Sequence, residues 1–369
     1  MMRLSINKLF LAFALMFSTV AGVFAQEHTL DGQETHEEQK KGFDVGTMIK
    51  HHISDDRGWE FAHGLTLPLP IILYSKERGL EVFSSSRLNH GAVYNGYKSE
   101  HGHIYRVDAA GKIIEGSEKD IKDFSITKNV ASLILSAVIL LLIFSSIAKA
   151  YGVNRGKAPK GLQSFLEPII LFVRDEIAKP NLGPKYEKYL PYLLTLFFFI
   201  LVNNLLGLLP GGANLTGNIA VTLVLAVITF FITQFSGNKH YWAHLVKPTG
   251  VPWPLLIIMI PVEIVGLFMK PLSLMIRLFA NITAGHIIIL SLLSLIFIAG
   301  QAGAGVGWGV SAIVVPFTLF MNLIELLVAF LQAFIFTLLT SMYIGSAIEE
   351  HHEADHGIGY EESPLEQIG

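Results

Sequence analysis

The apolar run LSLMIRLFANITAGHIIIL, residues 272–290, contains three side chains that could do chemistry: Arg277, Asn281 and His286. A guanidinium at the centre of a lipid bilayer costs roughly 2.5–3.5 kcal/mol on insertion scales, so an arginine in such a place is a functional candidate. Because arginine stays protonated, Arg277 cannot relay protons, but it can favour the ionised form of a carboxyl group brought near it. The alternative is an arginine that reaches lipid headgroups, yet Arg277 lies about 20 residues from either end of its run.

Helical spacing places the polar neighbours of Arg277 in different surroundings. Asn281 follows Arg277 by one turn, and Ser273 precedes it by one turn. Glu263 lies fourteen residues earlier, on nearly the same side but about 21 Å away along the axis. His286 lies nine residues later, on the opposite side and about 13 Å further along. Arg277 and His286 therefore serve two environments on one helix.

The last apolar run carries a second polar stripe. Asn322, Glu325 and Gln332 fall at i, i+3 and i+10, which is one helical face. In an antiparallel hairpin, His286 would lie nearly level with Glu325, and Arg277 nearly level with Gln332. An imidazole and a buried carboxylate can both pass protons near neutral pH, so the stripe predicts a proton path that ends near a fixed cation. A His–Glu contact that joins two helices is the alternative, and both can hold.

The sequence offers Arg277 no obvious partner of opposite charge. Glu263 is too far along the helix, and Glu325 is better matched to His286. A buried charge without a partner is costly, so a counter-charge is required. The missing carboxylate is predicted to belong to another subunit.

The elements that must hold these residues are membrane-spanning helices. The chain has 369 residues, of which 51% are hydrophobic and only 15% are charged, against about 25% charged in soluble domains. Runs of roughly 20 apolar residues are long enough to cross a hydrocarbon core of about 30 Å. We predict an all-α polytopic membrane protein. The net charge of −3 indicates no nucleic-acid partner, and the absence of cysteine excludes disulfides and thiol catalysis.

Five apolar segments are predicted to span the membrane. They are 130–150, 190–209, 218–236, 252–298 and 308–348. The amphipathic stretch 161–179 is too polar to span and is predicted to be a helix in the membrane interface. The last two segments have about forty residues each, or about 60 Å of helix, without a polar turn in the middle. They are predicted to form two long, strongly tilted helices packed as a hairpin.

Residues 1–25 have the pattern of a secretory signal peptide, with basic residues, an apolar stretch and Ala25 at the expected cleavage site. A short first transmembrane helix is the alternative. Residues 26–125 are polar and are predicted to be an extracytoplasmic segment with two or three short strands, around 80–84, 91–97 and 103–107. The histidines of this segment lack the spacing of a metal site, so no metal and no cofactor is predicted.

Loop charges orient the predicted spans. The stretch 149–188 carries eight Lys and Arg residues and the loop 237–250 carries two, whereas the loops 209–217 and 299–307 carry none. The positive-inside rule places the basic loops in the cytoplasm. Five crossings then predict an extracytoplasmic N-terminus and a cytoplasmic acidic tail, residues 351–369, for a protein of the cell inner (plasma) membrane.

The motifs PLSLMIRLFANITAGH and IELLVAFLQAFIFTLLTSMYI resemble subunit a of F-type ATP synthases, the membrane stator that faces the rotating c-ring. The resemblance covers roughly residues 126–350, including the hairpin NNLLGLLPG…ANLTGNIAVTLVLAV. It implies a non-catalytic subunit of a proton-transporting complex, with the c-ring, the peripheral-stalk subunit b, membrane lipid and the proton as partners. The sequence contains no P-loop, so the nucleotide chemistry would belong to a soluble head.

This resemblance assigns roles to the polar residues of the last two helices. Arg277 matches the essential arginine between two half-channels, and Asn281 and Gln332 match its polar companions. His286 and Glu325 match the pair that lines the outer half-channel, with the two residue types exchanged relative to many bacterial members. A proton would enter past this pair and neutralise a carboxylate of the c-ring.

The resemblance is weaker in two places. Glu263 and Ser273 match positions linked to the inner half-channel, where the proton would leave after nearly a full revolution of the ring. Gly207 stands where some relatives carry an aspartate. The asparagines of the same hairpin are an alternative source of polarity; they are Asn203, Asn204, Asn214 and Asn218.

Two other functions remain open at this point. A secondary ion transporter with its own substrate site predicts inverted repeats and broken helices, and no repeat is visible in the sequence. A structural anchor predicts that Arg277 binds lipid phosphate, so that its replacement would prevent assembly.

Overall fold

The computed structural model describes residue 46 and the ranges 55–62, 65–100, 102–108, 111–114, 116–153, 158–209, 211–246 and 253–349. Within these residues, five helical segments are long and apolar enough to cross a membrane. This confirms the predicted all-α polytopic class. The predicted signal peptide, residues 1–25, and the acidic tail, residues 351–369, lie outside the described residues.

Eight helices make up the described membrane part. They are α1 (Lys128–Val153), α2 (Leu162–Phe172), which continues into a π-helix (Val173–Ala178), α3 (Lys179–Leu182), α4 (Tyr186–Gly207), α5 (Ile219–Ser236), α6 (Lys239–Val246), α7 (Trp253–Gln301) and α8 (Ala304–Ile348). Helices α7 and α8 have 49 and 45 residues. The two long, unbroken helices predicted from the sequence are therefore present.

Helices α7 and α8 form an antiparallel hairpin. Their connection turns at Gly303, whose φ of 138° lies in the region that favours glycine. Beside the turn the two backbones come close together, because a Cβ added to Gly307 would lie 3.1 Å from the Cα of Gly300. Pro261 and Pro271 lie inside α7 without ending it, as prolines in membrane helices commonly do.

Helix α4 supports the hairpin from within. Its large side chains Leu193, Phe197 and Ile200 are fully buried and share one apolar core with Leu278 of α7 and Phe336 of α8. By contrast, only 11% of the most apolar 18-residue stretch of α7 is buried within this chain. Helix α7 therefore presents most of its surface to lipid or to other subunits.

The amphipathic stretch predicted at 161–179 forms α2 and the π-helix. Its buried face includes Leu166, Val173 and Ile177, which belong to the same apolar core as α4 and α8. Ser341 of α8 donates a hydrogen bond to the carbonyl of Ile177 at 3.2 Å. This packing explains the amphipathic pattern, and its location in the membrane interface stays a prediction.

The loops fall at two ends of the helical bundle, which we call the turn end and the open end. The turn end contains the α7–α8 turn and the α4–α5 loop, residues 208–218. At the open end, Asn238 donates to the carbonyl of Glu349 at 2.8 Å, and Lys185 donates to that of Ile348 at 3.4 Å. The basic loops thus share the open end, while the loops without Lys or Arg share the turn end.

The described part of the N-terminal segment folds into short antiparallel strands, and we call residues 55–127 the β region. The strands are β1 (Gly58–Ala62), β2 (Leu65–Pro68), β3 (Pro70–Ser75), β4 (Gly79–Ser84), β5 (Tyr97–Glu100), β6 (His103–Arg106) and β7 (Ile121–Asp123). They form the pairs β1–β2 and β5–β6 and a three-stranded sheet of order β4–β3–β7. The apolar core of the β region includes Ile71, Leu73, Tyr97 and Ile104.

The strand predictions were correct in part. The strands expected around 80–84 and 103–107 correspond to β4 and β6. The strand expected at 91–97 was wrong, because Asn95 and Gly96 adopt positive φ in a tight turn and the strand begins only at Tyr97. Strands β1 to β3 and β7 were not expected. Prolines interrupt the alternating pattern around β2 and β3, and β7 has only three residues.

An ion pair ties the beginning of the β region to β7. Arg57 donates to the carboxylate of Asp123, and the Ser125 backbone donates to the same side chain at 2.9 Å. Burial disfavours the charged form of Asp123, but the hydrogen bonds from Ser125 and Arg57 outweigh it and hold the pKa of this carboxyl below its usual value.

The depressed pKa of Asp123 makes the β region sensitive to acid. A lowered folded-state pKa contributes stability that is present above the unfolded-state pKa and is lost as the pH falls through the folded-state value. We expect Asp123→Asn to destabilise β7 by about 1 kcal/mol at pH 7 and to remove this acid sensitivity. Hydrogen exchange of residues 121–126 in the intact protein, corrected for the intrinsic effect of pH on exchange, measures both. Equal acid sensitivity in wild type and variant would contradict the prediction.

Candidate functional site

A buried His–Glu pair lies between α7 and α8 toward the turn end. The Nδ1 atom of His286 is 3.5 Å from Oε1 of Glu325, and the two side chains are 17% and 5% exposed. A Cβ added to Gly285 would lie only 2.9 Å from the same carboxylate oxygen. Glycine at this position therefore allows the carboxylate of α8 to approach the backbone of α7.

The carboxylate of Glu325 has few partners among the residues that the structure describes. Neither of its oxygens has a hydrogen-bond partner among the described residues. An ionised carboxylate buried in this way is costly unless a proton or a nearby cation compensates its charge. His286 lies within reach of the carboxylate. An imidazole can give up a proton or, when protonated, act as the nearby cation.

Helix α4 and the α4–α5 loop form a third wall of the pair. A Cβ added to Gly207 would lie 3.8 Å from Nε2 of His286, 3.6 Å from the carbonyl oxygen of Ala213 and 3.9 Å from the Cα of Asn214. Gly207, where the resemblance suggested an aspartate in some relatives, thus lies beside the imidazole. Because Gly207 has no side chain, the α4–α5 loop can fold back over the end of α4.

The four asparagines of this hairpin lie in different surroundings. The side-chain amide of Asn204 donates to the carbonyl of Ala329 at 2.9 Å, one turn beyond Glu325 on α8, and Asn203 donates within its own helix. Their buried side-chain oxygens have no hydrogen-bond partner among the described residues. Asn218 caps α5 through Ala220, and Asn214 accepts from the backbone of the same loop.

The three polar residues of the predicted α8 stripe differ in burial. Glu325 and Gln332 are both buried, at 4% exposure each, and lie seven residues apart on the inner face. Asn322 is half-buried, and its amide donates to the carbonyl of Thr318 in its own helix at 2.9 Å. This bond occupies one of the two amide donors of Asn322 and holds its side chain against its own helix.

Arg277 lies on the outward side of α7. Its guanidinium contacts the hydroxyl of Ser273 at 3.5 Å, and the part of the chain that the structure describes gives it no ion pair. Ser273, Ala280, Asn281 and Ala284 are all exposed and flank it on the surface. The small side chains leave room for a neighbouring helix to approach the guanidinium.

Along the hairpin, Arg277 lies between two polar clusters. It is about 13 Å along the axis from the contact of His286 with Glu325, and about 10 Å from the opposite contact, where Lys270 Nζ lies over the ring of Tyr343. That second contact is 5.5 Å from Nζ to the ring centre. Arg277 therefore separates a cluster toward the turn end from a cluster toward the open end.

The level of Gln332 follows from the same two contacts. Interpolation between them puts Arg277 opposite roughly residues 334–336 of α8, so Gln332 lies roughly 3–6 Å nearer the turn end. The sequence had placed the two side chains nearly level. Gln332 thus lies between Arg277 and the His–Glu pair along the helix axis.

The cluster toward the open end surrounds a small cleft between α5, α7 and α8. Its polar lining consists of Thr229, Thr233, Gln234, Lys270 and Tyr343. Thr229 also shares a hydrogen bond of 2.8 Å with Tyr192 of α4. The two threonines were not among the predicted site residues, because their i, i+4 spacing does not distinguish them from other threonines of apolar helices.

Glu263 lies still nearer the open end and is exposed. Burial raises the pKa of Tyr241 in α6, and the charge of Glu263 adds to this increase, so the two residues are near each other. Ser273, by contrast, contacts Arg277. The two residues linked by resemblance to the inner half-channel are therefore found at different depths, not in one cluster.

The fold and the site together define a class of protein. It is a multi-pass membrane protein in which an outward-facing cation lies between two polar clusters, one toward the turn end and one toward the open end of the helical bundle. Groups that can carry protons are buried between α7 and α8, about 13 Å along the axis from that cation. Such an arrangement suits charge movement through a membrane in concert with a neighbouring subunit.

Comparison with known proteins identifies the family. The family model "ATP synthase A chain" matches residues 130–345, and a domain of unknown function (DUF8433) matches residues 48–126. The chain is 50% identical over 240 residues to ATP synthase subunit a of Chlorobium phaeobacteroides strain BS1, covering 63% of this chain and 69% of that protein. It is 52% identical over 231 residues to subunit a 2 of Chlorobaculum tepidum, covering 61% and 64%.

A third relative extends the match into the N-terminal part. ATP synthase subunit a of Anaeromyxobacter sp. strain Fw109-5 is 38% identical over 346 residues, which covers 90% of this chain and 77% of that protein. The chain belongs to the ATP synthase A chain family. It is thus a non-catalytic subunit of the membrane sector of an F-type ATP synthase, a sector that also contains the c-ring and subunit b.

Proposed function

We propose that this chain is the proton-translocating stator of the synthase, with two offset half-channels and Arg277 between them. The observation that carries the proposal is the guanidinium of Arg277. It lies in the middle of a 49-residue apolar helix, on the outward side, without an ion pair among the described residues. A cation in such a place requires an anion from outside the chain, and a carboxylate of the c-ring would supply it.

The turn-end cluster would form the outer half-channel. A proton would pass His286 and Glu325, which lie 3.5 Å apart, and would neutralise a c-ring carboxylate that can then turn into lipid. Both residues are suited to exchange protons, because an imidazole is a common proton carrier and the carboxylate is buried without a hydrogen-bond partner among the described residues. Asn204, Asn322 and Gln332 would hold water along this path.

The open-end cluster would form the inner half-channel. The cleft lined by Thr229, Thr233, Gln234 and Lys270 provides hydroxyl, amide and ammonium groups that hold water. Glu263 would receive the proton near the cytoplasmic surface. Ser273 and Asn281, on either side of Arg277, would contact the ring carboxylate as it loses its proton.

Arg277 would act on the ring carboxylate in two ways. A carboxylate about 4 Å from a guanidinium gains about 4 kcal/mol at an effective dielectric constant of about 20, a factor of roughly 1,000 in ionisation. The ring therefore releases its proton only near Arg277. The same fixed charge repels a proton that might otherwise move directly from one half-channel to the other.

The orientation belongs to the same proposal. The turn end, with the β region and the loops without Lys or Arg, would face the outside, and the open end with its basic loops would face the cytoplasm. Residues 1–25 would act as a signal peptide, and residues 351–369 as a cytoplasmic tail. The segments 26–125 and 126–350 would then be an extracytoplasmic segment and the membrane domain.

A crosslinking experiment tests whether the ring faces Arg277. The chain has no cysteine, so Ala280→Cys introduces a single thiol on the exposed surface one turn from Arg277. We expect disulfide formation with a cysteine placed beside the ion-binding carboxylate of the ring subunit in more than half of the assembled complexes. Leu141→Cys on α1, where the native side chain is 68% exposed, is the control and should give none. Equal or absent crosslinking at both sites would contradict the proposal.

A further inference from the structure

A buried tryptophan joins the β region to the α4–α5 loop of the membrane part. Trp59 of β1 is 8% exposed, and its indole Nε1 donates to the carbonyl of Gly211 in the α4–α5 loop at 2.8 Å. The ring packs in a small cluster with Leu69, Ala213 and Ala131. One side chain of β1 thus joins the α4–α5 loop, the residue that links β2 to β3 and the first membrane helix.

The position of Trp59 is fixed by the attachment of the β region to α1. The carboxylate of Asp55 accepts from the backbone of Asn129 at 3.0 Å, and the carbonyl of Asp56 accepts from Lys128 at 2.8 Å. Strand β3 continues this attachment, since the carbonyl of Pro70 accepts from Ile126. The tryptophan is therefore held by a rigid base at the start of α1.

The loop that Trp59 contacts has little regular structure of its own. Its residues Ala213, Leu215 and Thr216 are each 1% exposed, so the loop is buried by its neighbours. It turns sharply at Gly212, where a Cβ would lie 2.1 Å from the carbonyl oxygen of Leu206. Apart from short turns, the contacts with Trp59 and α7 hold it in place.

The same loop lies beside His286 of the His–Glu pair. The Ala213 carbonyl and the Asn214 backbone lie within 4 Å of the Cβ position of Gly207, and His286 lies at 3.8 Å from that position. On its other side, the Thr283 hydroxyl of α7 contacts the Gly217 carbonyl at 3.4 Å. A displacement of the loop would therefore open or distort the access to His286.

We propose that the β region is a clamp that holds the α4–α5 loop against the His286–Glu325 pair and so controls the access of protons to it. Trp59 is the positioning residue through which the clamp acts. The inference rests on the proposed function, because it takes the pair as the point of proton entry. It gives a role to a segment whose matching family has none described.

The accessibility of the loop tests the clamp directly. Thr216→Cys places a near-isosteric thiol at a buried loop position, and a membrane-impermeant maleimide measures its exposure in the intact complex. We expect labelling roughly fivefold faster with Trp59→Phe, which keeps a ring but loses the donor, and at least tenfold faster with Trp59→Ala. Thr337→Cys on α8, where the native residue is 0% exposed, should be labelled equally slowly in all backgrounds.

ATP-driven proton pumping completes the test. We expect Trp59→Ala to pump at less than half the wild-type rate, with Trp59→Phe between the two, whereas Leu80→Ala at a 65% exposed site of the β region should leave the rate unchanged. Unchanged labelling of Thr216→Cys would overturn the clamp. Faster labelling with unchanged pumping would overturn its role in proton entry. The crosslink of Ala280→Cys to the ring reports separately on the stator function.

Discussion

Replacing Arg277 by alanine is expected to lower ATP-driven proton pumping of the intact complex by roughly 100-fold or more, the usual cost of removing one preorganised electrostatic contact. The passive proton leak of the membrane sector should rise at the same time. Under the proposed stator function both effects have one cause, because the guanidinium would promote proton release from the ring carboxylate and would also keep protons from crossing between the half-channels. Vesicles that contain the complex allow both quantities to be measured with a pH-sensitive dye.

Arg277→Lys separates the two effects. A lysine keeps the positive charge but has a shorter reach and a single charged atom, so it cannot hold a carboxylate in the geometry of a guanidinium. We expect pumping to be lost while the leak stays low. Arg174→Ala is the matched control, since it removes an arginine that pairs with Asp175 outside the α7–α8 hairpin, and it should pump nearly normally.

The outcomes for Arg277 also distinguish the other two functions. An anchor that binds lipid phosphate would fail to assemble when Arg277 is replaced, so the c-ring and subunit b would no longer co-purify. A secondary transporter would move its ion after reconstitution of this chain alone. Normal pumping by the alanine variant in a fully assembled complex would contradict the stator proposal.

The α7–α8 hairpin could be predicted from the sequence because both helices are uninterrupted. The rise per residue is then constant, so counting from the connecting loop places His286 level with Glu325, and the structure brings these two side chains together. The same counting shows that Arg277 has no acid at its own level. Absence of a polar turn, rather than hydropathy alone, decided between one long span and two short ones.

Contacts between segments that share no repeating pattern of apolar and polar residues could not be predicted from the sequence. Trp59 and Gly211 are 152 residues apart, and nothing in either sequence pattern indicates that they meet. Gly285 looks like any small residue of a membrane helix until the carboxylate of Glu325 is placed against it. The threonines of the open-end cleft were missed for a similar reason, since threonine is common in apolar helices and gains its meaning only from its neighbours.

Glu325→Gln is expected to reduce proton pumping by roughly 100-fold as well, while the complex assembles at wild-type levels. Glutamine has almost the same shape as glutamate and cannot ionise, so it removes the titratable group without creating a cavity. It also removes the cost of a buried carboxylate that has no hydrogen bond among the described residues, and the stability of the hairpin should be unchanged or higher. Ser311→Ala, near the turn of the same helix, is the matched control.

The Glu325 variant distinguishes a proton path from a contact that only joins two helices. A structural pair tolerates glutamine, because the amide can still donate to or accept from His286, so pumping would then persist. Gly285→Ala supplies an independent check, since its Cβ would lie 2.9 Å from the Glu325 carboxylate and must push it away from α7. We expect this variant to pump several-fold more slowly although every titratable group is present. Normal pumping by both variants would mean that the pair only holds the helices together and that protons reach the ring by another route.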